Sequence, residues 1–338
     1  MILNLKNLVL LLLLSLGLTG LAADSFSKIP VSEIADQGHA ADIKNPSFAE
    51  LWAYLMAGEE AFLEPARNSI SDLCYFSAEI NAYGELINIP KINKIAGFSG
   101  RKHLVLAEIG NYTLTHLCLD PSYPIRDRLI KSITEAAKPY DGVQIDFEAI
   151  PQRNRGDFIE FLGLLKASIG EKTLSVALPA RLSLATDVLS YAKIAAIADK
   201  LIIMAYDEHW SSSKPGPIAS MDWCNRVAIY AKTQIPAQKL VMGLPFYGRA
   251  WGNIKTDKAY KFSGIESLVS QKAVNEIQRI ADIPWFRYEE SIVVDVYYED
   301  SNSLRKRLEL YETLDIKAAA FWRLGQEDRA VWEKIGFK

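Results

Sequence analysis

From about residue 50 onward, short apolar runs alternate with helical patterns. The runs 50–54, 72–76, 103–108, 142–147, 174–178, 201–206, 240–247 and 318–322 are β-rich and apolar enough to be buried on both faces, as parallel strands are. Between them lie amphipathic stretches such as 157–169, where Phe158, Phe161, Leu162, Leu165 and Ile169 recur at helix spacing and Gly170 supplies a stop. Eight such strands, each followed by a helix, predict an α/β fold of the TIM (β/α)8 barrel type. An open doubly wound sheet is the competing architecture, but no glycine-rich phosphate turn follows the early strands. Residues 252–300 exceed an ordinary βα connection. Their helical pattern over 267–280 and β-like run over 291–298 predict a small α+β insertion on the rim, between strands seven and eight. Residues 24–48 are mixed and polar and read as an irregular lead-in, which assigns 49–338 to the barrel with its insertion.

The first 23 residues follow a different pattern. They carry one charge, Lys6, then an apolar run over 8–14 extended by Leu16 and Leu18, then small residues ending in Ala22-Ala23. The run is shorter than the roughly 18 to 20 residues that span a bilayer. A cleaved signal peptide is therefore expected, with export to a secreted or periplasmic (cell-envelope) location and no stable membrane insertion afterwards.

Composition narrows the choice of partner. Among 338 residues, 38 basic and 41 acidic side chains give a net charge of −3, which argues against a nucleic-acid partner because phosphate binding needs a clustered basic excess. Cys74, Cys118 and Cys224 are too few and too scattered for a disulfide scaffold, and with four histidines they form no zinc-like spacing. Neither a structural metal nor a cofactor is expected, and the chain is read as a monomer.

The strongest chemical signal is Tyr140-Asp141-Gly142-Val143-Gln144-Ile145-Asp146-Phe147-Glu148. Strand alternation puts Val143, Ile145 and Phe147 on one face and Gln144, Asp146 and Glu148 on the other. In a barrel strand the polar face points into the lumen, where unpaired carboxyls are costly unless they serve a purpose. Two carboxyls at i and i+2 lie close enough to share a proton, and like charge raises one pKa. Glu148, nearest the open C-terminal face, is the expected proton donor, with Asp146 one layer deeper as its partner. Cleavage of a glycosidic bond is the reaction that such a pair most often serves.

The run Asp141-Gly142-x-x-x-Asp146-x-Glu148 resembles the signature of glycoside hydrolase family 18, the chitinase-like TIM barrels. Met204-Ala205-Tyr206-Asp207-Glu208-His209-Trp210 is similar to the family's sixth-strand motif. The runs 215–220, 243–249 (Gly-Leu-Pro-Phe-Tyr-Gly-Arg) and 321–325 (Phe-Trp-Arg-Leu-Gly) are similar to later landmarks of the branch containing spore-germination and cortex-lytic N-acetylglucosaminidases. The resemblance implies hydrolysis of β-1,4-linked N-acetylglucosamine polysaccharide, peptidoglycan or chitin-type, by a retaining mechanism in which the substrate's acetamido oxygen is the nucleophile. It further implies that Glu148 is general acid and base, that Asp146 holds the acetamido group, and that Tyr206 and Asp207 support the same subsite. Trp322 would form the apolar floor beneath the sugar. In much of the family an aspartate stands where this chain has Gln144, whose amide can hydrogen-bond Asp146 but cannot ionise. Tyr247, Trp210 and Trp251 are candidate stacking platforms, although such an aromatic is more often core and only Tyr247, at a strand end and in a matching motif, rises above that; Arg249 is a candidate contact to a sugar hydroxyl or carboxylate, or a partner for an acid. Glu208, His209 and Asp300 are left as rim residues without an assigned role. The alternative function is a chitinase-like sugar-binding protein that does not cleave, against which stands the presence of Glu148, Asp146 and Tyr206 together.

Overall fold

Eight apolar runs close into a parallel ring: β1 (Glu50–Met56), β2 (Asp72–Ile80), β3 (Arg101–Glu108), β4 (Gly142–Phe147), β5 (Thr173–Pro179), β6 (Lys200–Met204), β7 (Leu240–Pro245) and β8 (Ala318–Trp322). Each pairs in parallel with the next, and β8 pairs with β1, so that no edge is left open. The computed structural model describes residues 28–30, 44–65, 67–186, 188–252, 259–289 and 293–337. The fold is the expected TIM barrel. Residues 1–23, the expected signal peptide, lie outside the described residues, and among those described no helix is long and apolar enough to cross a membrane.

Helices on the outside give the strands their second apolar face. Val143, Ile145 and Phe147 of β4 look outward, and Phe147 lies 6.2 and 6.0 Å from the rings of Phe158 and Phe161 on the helix Arg155–Ile169. Gly170, at φ +62°, ends that helix. Inside the ring, Trp52, Tyr54, Cys74, Phe76, Val105, Ile202 and Val241 pack together. The N-terminal end of the lumen is polar. There Asp72 meets His103 at 2.8 Å and Arg101 at 2.6 Å, and the Trp52 ring stacks on His103 at 4.5 Å.

The strict strand–helix alternation does not hold throughout. Among the described residues no α-helix follows β1 or β2 before the next strand. A 3-10 turn, Glu60–Phe62, follows β1, and β2 turns back into a short hairpin with Leu86–Ile87 before a second 3-10 turn, Ile92–Ile95. The second connection, 81–100, is rich in asparagine, glycine and proline, which break a helix. The insertion also differs from the expectation. β7 stops at Pro245, and Gly248–Gly252 pairs instead with Val293–Tyr297, so the inserted sheet begins at Gly248 rather than near 252. The expected helix over 267–280 is split. Phe262–Gln271 is helical, whereas Glu276–Ile280 is a strand antiparallel to Ile283–Glu289, joined through Ala281 and Asp282 at φ +52° and +68°. The lead-in is not wholly irregular: Lys28–Pro30 joins the inserted sheet against Glu276–Ile280, and Ser47–Phe48 pairs with Gly336–Phe337. All three cysteines are buried and unbonded.

Candidate active site

The strands end their C-terminal halves around a cavity of about 190 Å³. Asp146, Glu148, Tyr206, Asp207, Tyr247, Arg249 and Trp322 line it, joined by Phe76, Ile109, Met204, Ala259 and Gln326. Thus β4, β6, β7 and β8 each contribute side chains from their C-terminal ends, where barrel chemistry is ordinarily built.

Asp146 and Glu148 share this cavity, as strand alternation requires. Asp146, the inward residue of the last turn of β4, is 4% exposed, and its Oδ1 has no hydrogen-bond partner among the described residues. Burial, reinforced by the charge of Glu148, pushes its pKa up to about 7. Glu148 stands just past the strand, with its backbone N–H donating to Glu108 O at 2.9 Å. Its carboxyl is open to the cavity, yet the surrounding protein and the charge of Asp207 still raise its pKa. Near neutral pH the pair therefore carries a proton that a solvated pair would have lost, which suits it to give and take back a proton.

Tyr206 follows β6, and its ring meets that of Tyr247 edge-on at 6.3 Å. Burial raises the pKa of its hydroxyl well above the ordinary value, and the charges of Asp146, Asp207 and Glu148 add to this, so it stays a proton-bearing donor. Gly243 on β7 makes room for it: a Cβ there would lie 2.8 Å from Ile203 O and 3.1 Å from the Tyr206 ring. Asp207 sits at φ +57° and turns its carboxylate toward the inserted sheet. It accepts the Tyr247 hydroxyl at 2.5 Å and the Arg249 guanidinium at 2.8 and 3.1 Å. Asp207 is thus committed to holding Tyr247 and Arg249 in the cavity wall. Opposite, Trp322 packs edge-on against Phe76 at 4.9 Å and Tyr54 at 5.1 Å, which fixes an aromatic floor.

Other sequence candidates lie elsewhere. Gln144 does not line the cavity; it lies one layer down, fully buried, donating to Ser175 Oγ at 3.2 Å and Cys74 Sγ at 3.5 Å. It stands two residues before Asp146 on the same face of β4, below the cavity lining. Trp251 is also no platform: it is buried against Tyr297 at 6.0 Å and donates its indole N–H to Trp210 O at 3.2 Å. Trp210 is 52% exposed on the rim, outside the cavity wall. Glu208 accepts from Ser220 N and His209 contacts Pro217 O, each at 2.8 Å, which folds the loop after β6. Asp300 caps the helix Ser301–Thr313.

Sequence reasoning missed Phe76, Ile109, Met204, Ala259 and Gln326. A signal existed for two of them: Phe76 lies near the mouth end of an expected strand, and Met204 stands two residues before Tyr206, on the same face. Gln326 lies in a loop beyond the last strand, where no periodicity points inward.

Comparison with known proteins agrees with this geometry. Residues 65–327 match the family described as glycosyl hydrolases family 18. The chain is 28% identical over 280 residues to the cortical fragment-lytic enzyme of Bacillus anthracis, covering 75% of this chain and 64% of that one. Among solved structures, the spore cortex-lytic enzyme SleL of Bacillus cereus superposes with a TM-score of 0.77 at 25% identity, over 87% of this chain and 76% of its own. A chitinase from Chromobacterium violaceum shares the fold, with a TM-score of 0.74 at 23% identity over 85% and 97% of the two chains. With its barrel, its paired carboxyls and a family match over most of its length, the chain belongs to glycosyl hydrolases family 18 and is a glycoside hydrolase related to cortex-lytic enzymes and chitinases.

Proposed function

We propose that this is an exported enzyme that cleaves β-1,4-linked N-acetylglucosamine glycans with retention of configuration, Glu148 acting as acid and then base. The observation that carries this reading is the meeting of Asp146, Glu148 and Tyr206 in one cavity walled by the Trp322 ring. A pyranose laid against Trp322 and Phe76 buries its apolar face. Glu148 then donates a proton to the glycosidic oxygen as that bond breaks, while the sugar's 2-acetamido oxygen attacks the anomeric carbon. The resulting ring is cationic. Asp146, ionised beside Glu148, is the anion that favours it. Tyr206 donates to the acetamido oxygen and holds it in line for attack. Glu148, now a carboxylate, takes a proton from the water that attacks the anomeric carbon and reopens the ring, and so returns to its starting state.

Relationship to enzymes named for the spore cortex favours peptidoglycan over chitin as the natural polymer. Export rests on the pattern of the first 23 residues. The test is product analysis with purified protein on peptidoglycan and on chitin oligosaccharides, following by NMR the anomer first released. Peptidoglycan cleaved to N-acetylglucosamine reducing ends, initially β, is the expected outcome. Initial α products would refute the substrate-assisted route, and binding of both glycans with cleavage of neither would point to the lectin alternative.

A further inference from the structure

Two residues on the cavity wall carry buried side-chain oxygens with no hydrogen-bond partner among the described residues: Asp146, already in the mechanism, and Gln326, which is not. Gln326 is 8% exposed. A buried amide oxygen left unpaired costs stability and calls for an explanation. Looseness is not that explanation, because the loop is tied on several sides. Gln326 N donates to Arg323 O at 3.2 Å, and its own carbonyl accepts from Phe262 N at 2.9 Å. Glu327 folds back to accept from Gly325 N at 2.7 Å, and Gly325 itself, at φ +84°, presses so close to Phe62 that a Cβ would lie 2.4 Å from that ring. The backbone thus presents the Gln326 side chain to the cavity in a fixed position. Gln144 also has an unpaired amide oxygen, but it does not line the cavity.

We infer that Gln326 is a substrate-binding residue whose amide oxygen accepts a hydrogen bond from a hydroxyl or acetamido N–H of the sugar seated at Trp322. The terminal torsion of a glutamine is broad, so the oxygen turns toward the cavity without moving the backbone. A sugar there supplies the donor that the protein lacks. The inference rests on the cavity being a glycan site and adds to it a residue that stands outside the acidic and aromatic motifs.

The test is steady-state hydrolysis of a soluble β-1,4-linked N-acetylglucosamine tetrasaccharide by the unaltered enzyme, Gln326→Met and Gln326→Glu. Methionine removes the acceptor at similar volume, while glutamate keeps an oxygen. Loss of one hydrogen bond should raise KM about tenfold in Gln326→Met with kcat within about threefold, and Gln326→Glu should restore KM to within about threefold. An unchanged KM in Gln326→Met, a fall in kcat alone, or a glutamate variant as weak as the methionine one would each overturn the inference. Thermal unfolding checks that both variants fold. Should Gln326→Met not fold, the same kinetics with Gln326→Leu decide, a KM raised about tenfold supporting the inference and an unchanged KM overturning it. The unaltered enzyme separates this inference from its premise: if it does not cleave the tetrasaccharide the glycan reading falls, and the inference with it; if it does, the variants alone decide.

Discussion

Asp146 illustrates how a functional residue opposes stability. In the unfolded chain its carboxyl titrates near the ordinary value of 3.8, whereas in the folded protein burial and Glu148 hold it at about 7. Between those values the folded state binds a proton that the unfolded state does not, so this residue's contribution to stability falls as pH rises from about 4 to 7 and stays unfavourable above. Asp146→Asn removes the cost of a buried charge. Its thermal unfolding midpoint should match the parent near pH 4 and exceed it above pH 7, by the equivalent of up to a few kcal/mol. A parent that remains the more stable protein at pH 8 would mean that the carboxylate is paired and not orphaned. At this scale the acid pair and Trp322 were legible because strand alternation and strand ends place them. The role of Asp207 was not, because its partners Tyr247 and Arg249 lie 40 and 42 residues away.

Among the elements, β6 and β7 show how a small residue positions a large one. Gly243 lets the Tyr206 ring lie close over β7, with the β6 carbonyl of Ile203 beneath. Gly243→Ala must therefore push the ring or the strand aside. A fall in kcat of at least about tenfold with a stability loss of about 1 to 3 kcal/mol is expected, measured by hydrolysis rate and urea unfolding. Full activity with normal stability would show that Tyr206 need not be held where it lies. The barrel strands were readable because being apolar on both faces is a signal carried by each run alone. The inserted sheet was less so. Ile277 and Ile280 continue the spacing of a helix, and the hairpin that makes them a strand turns through Ala281-Asp282, a pair lacking the asparagine or glycine that marks such turns.

The whole molecule divides its work between the two ends of one lumen. At the N-terminal end Asp72 is fully buried among His103, Arg101 and Ser71. Burial acts to raise its pKa, but the hydrogen bonds from His103, Arg101 and Ser71 outweigh it and hold the carboxylate below its usual range. The stability it confers is present above about pH 4 and is lost as pH falls below that. Asp72→Ala, far from the cavity, should cost about 2 to 3 kcal/mol in urea unfolding at pH 7, because buried His103 loses its partner, while the KM of the folded protein is preserved. A change under 0.5 kcal/mol, as for a surface site, would show the cluster to be incidental. At the C-terminal end the same ring leaves Asp146 Oδ1 without a partner among the described residues, which is where chemistry is expected. The most direct measurement is therefore turnover and binding of an N-acetylglucosamine oligosaccharide by Glu148→Gln. If Glu148 is the acid and base, kcat falls by about 10² to 10⁴ while affinity stays within a few fold. Turnover at near the parent rate would contradict the assignment of the cavity's chemistry to this residue.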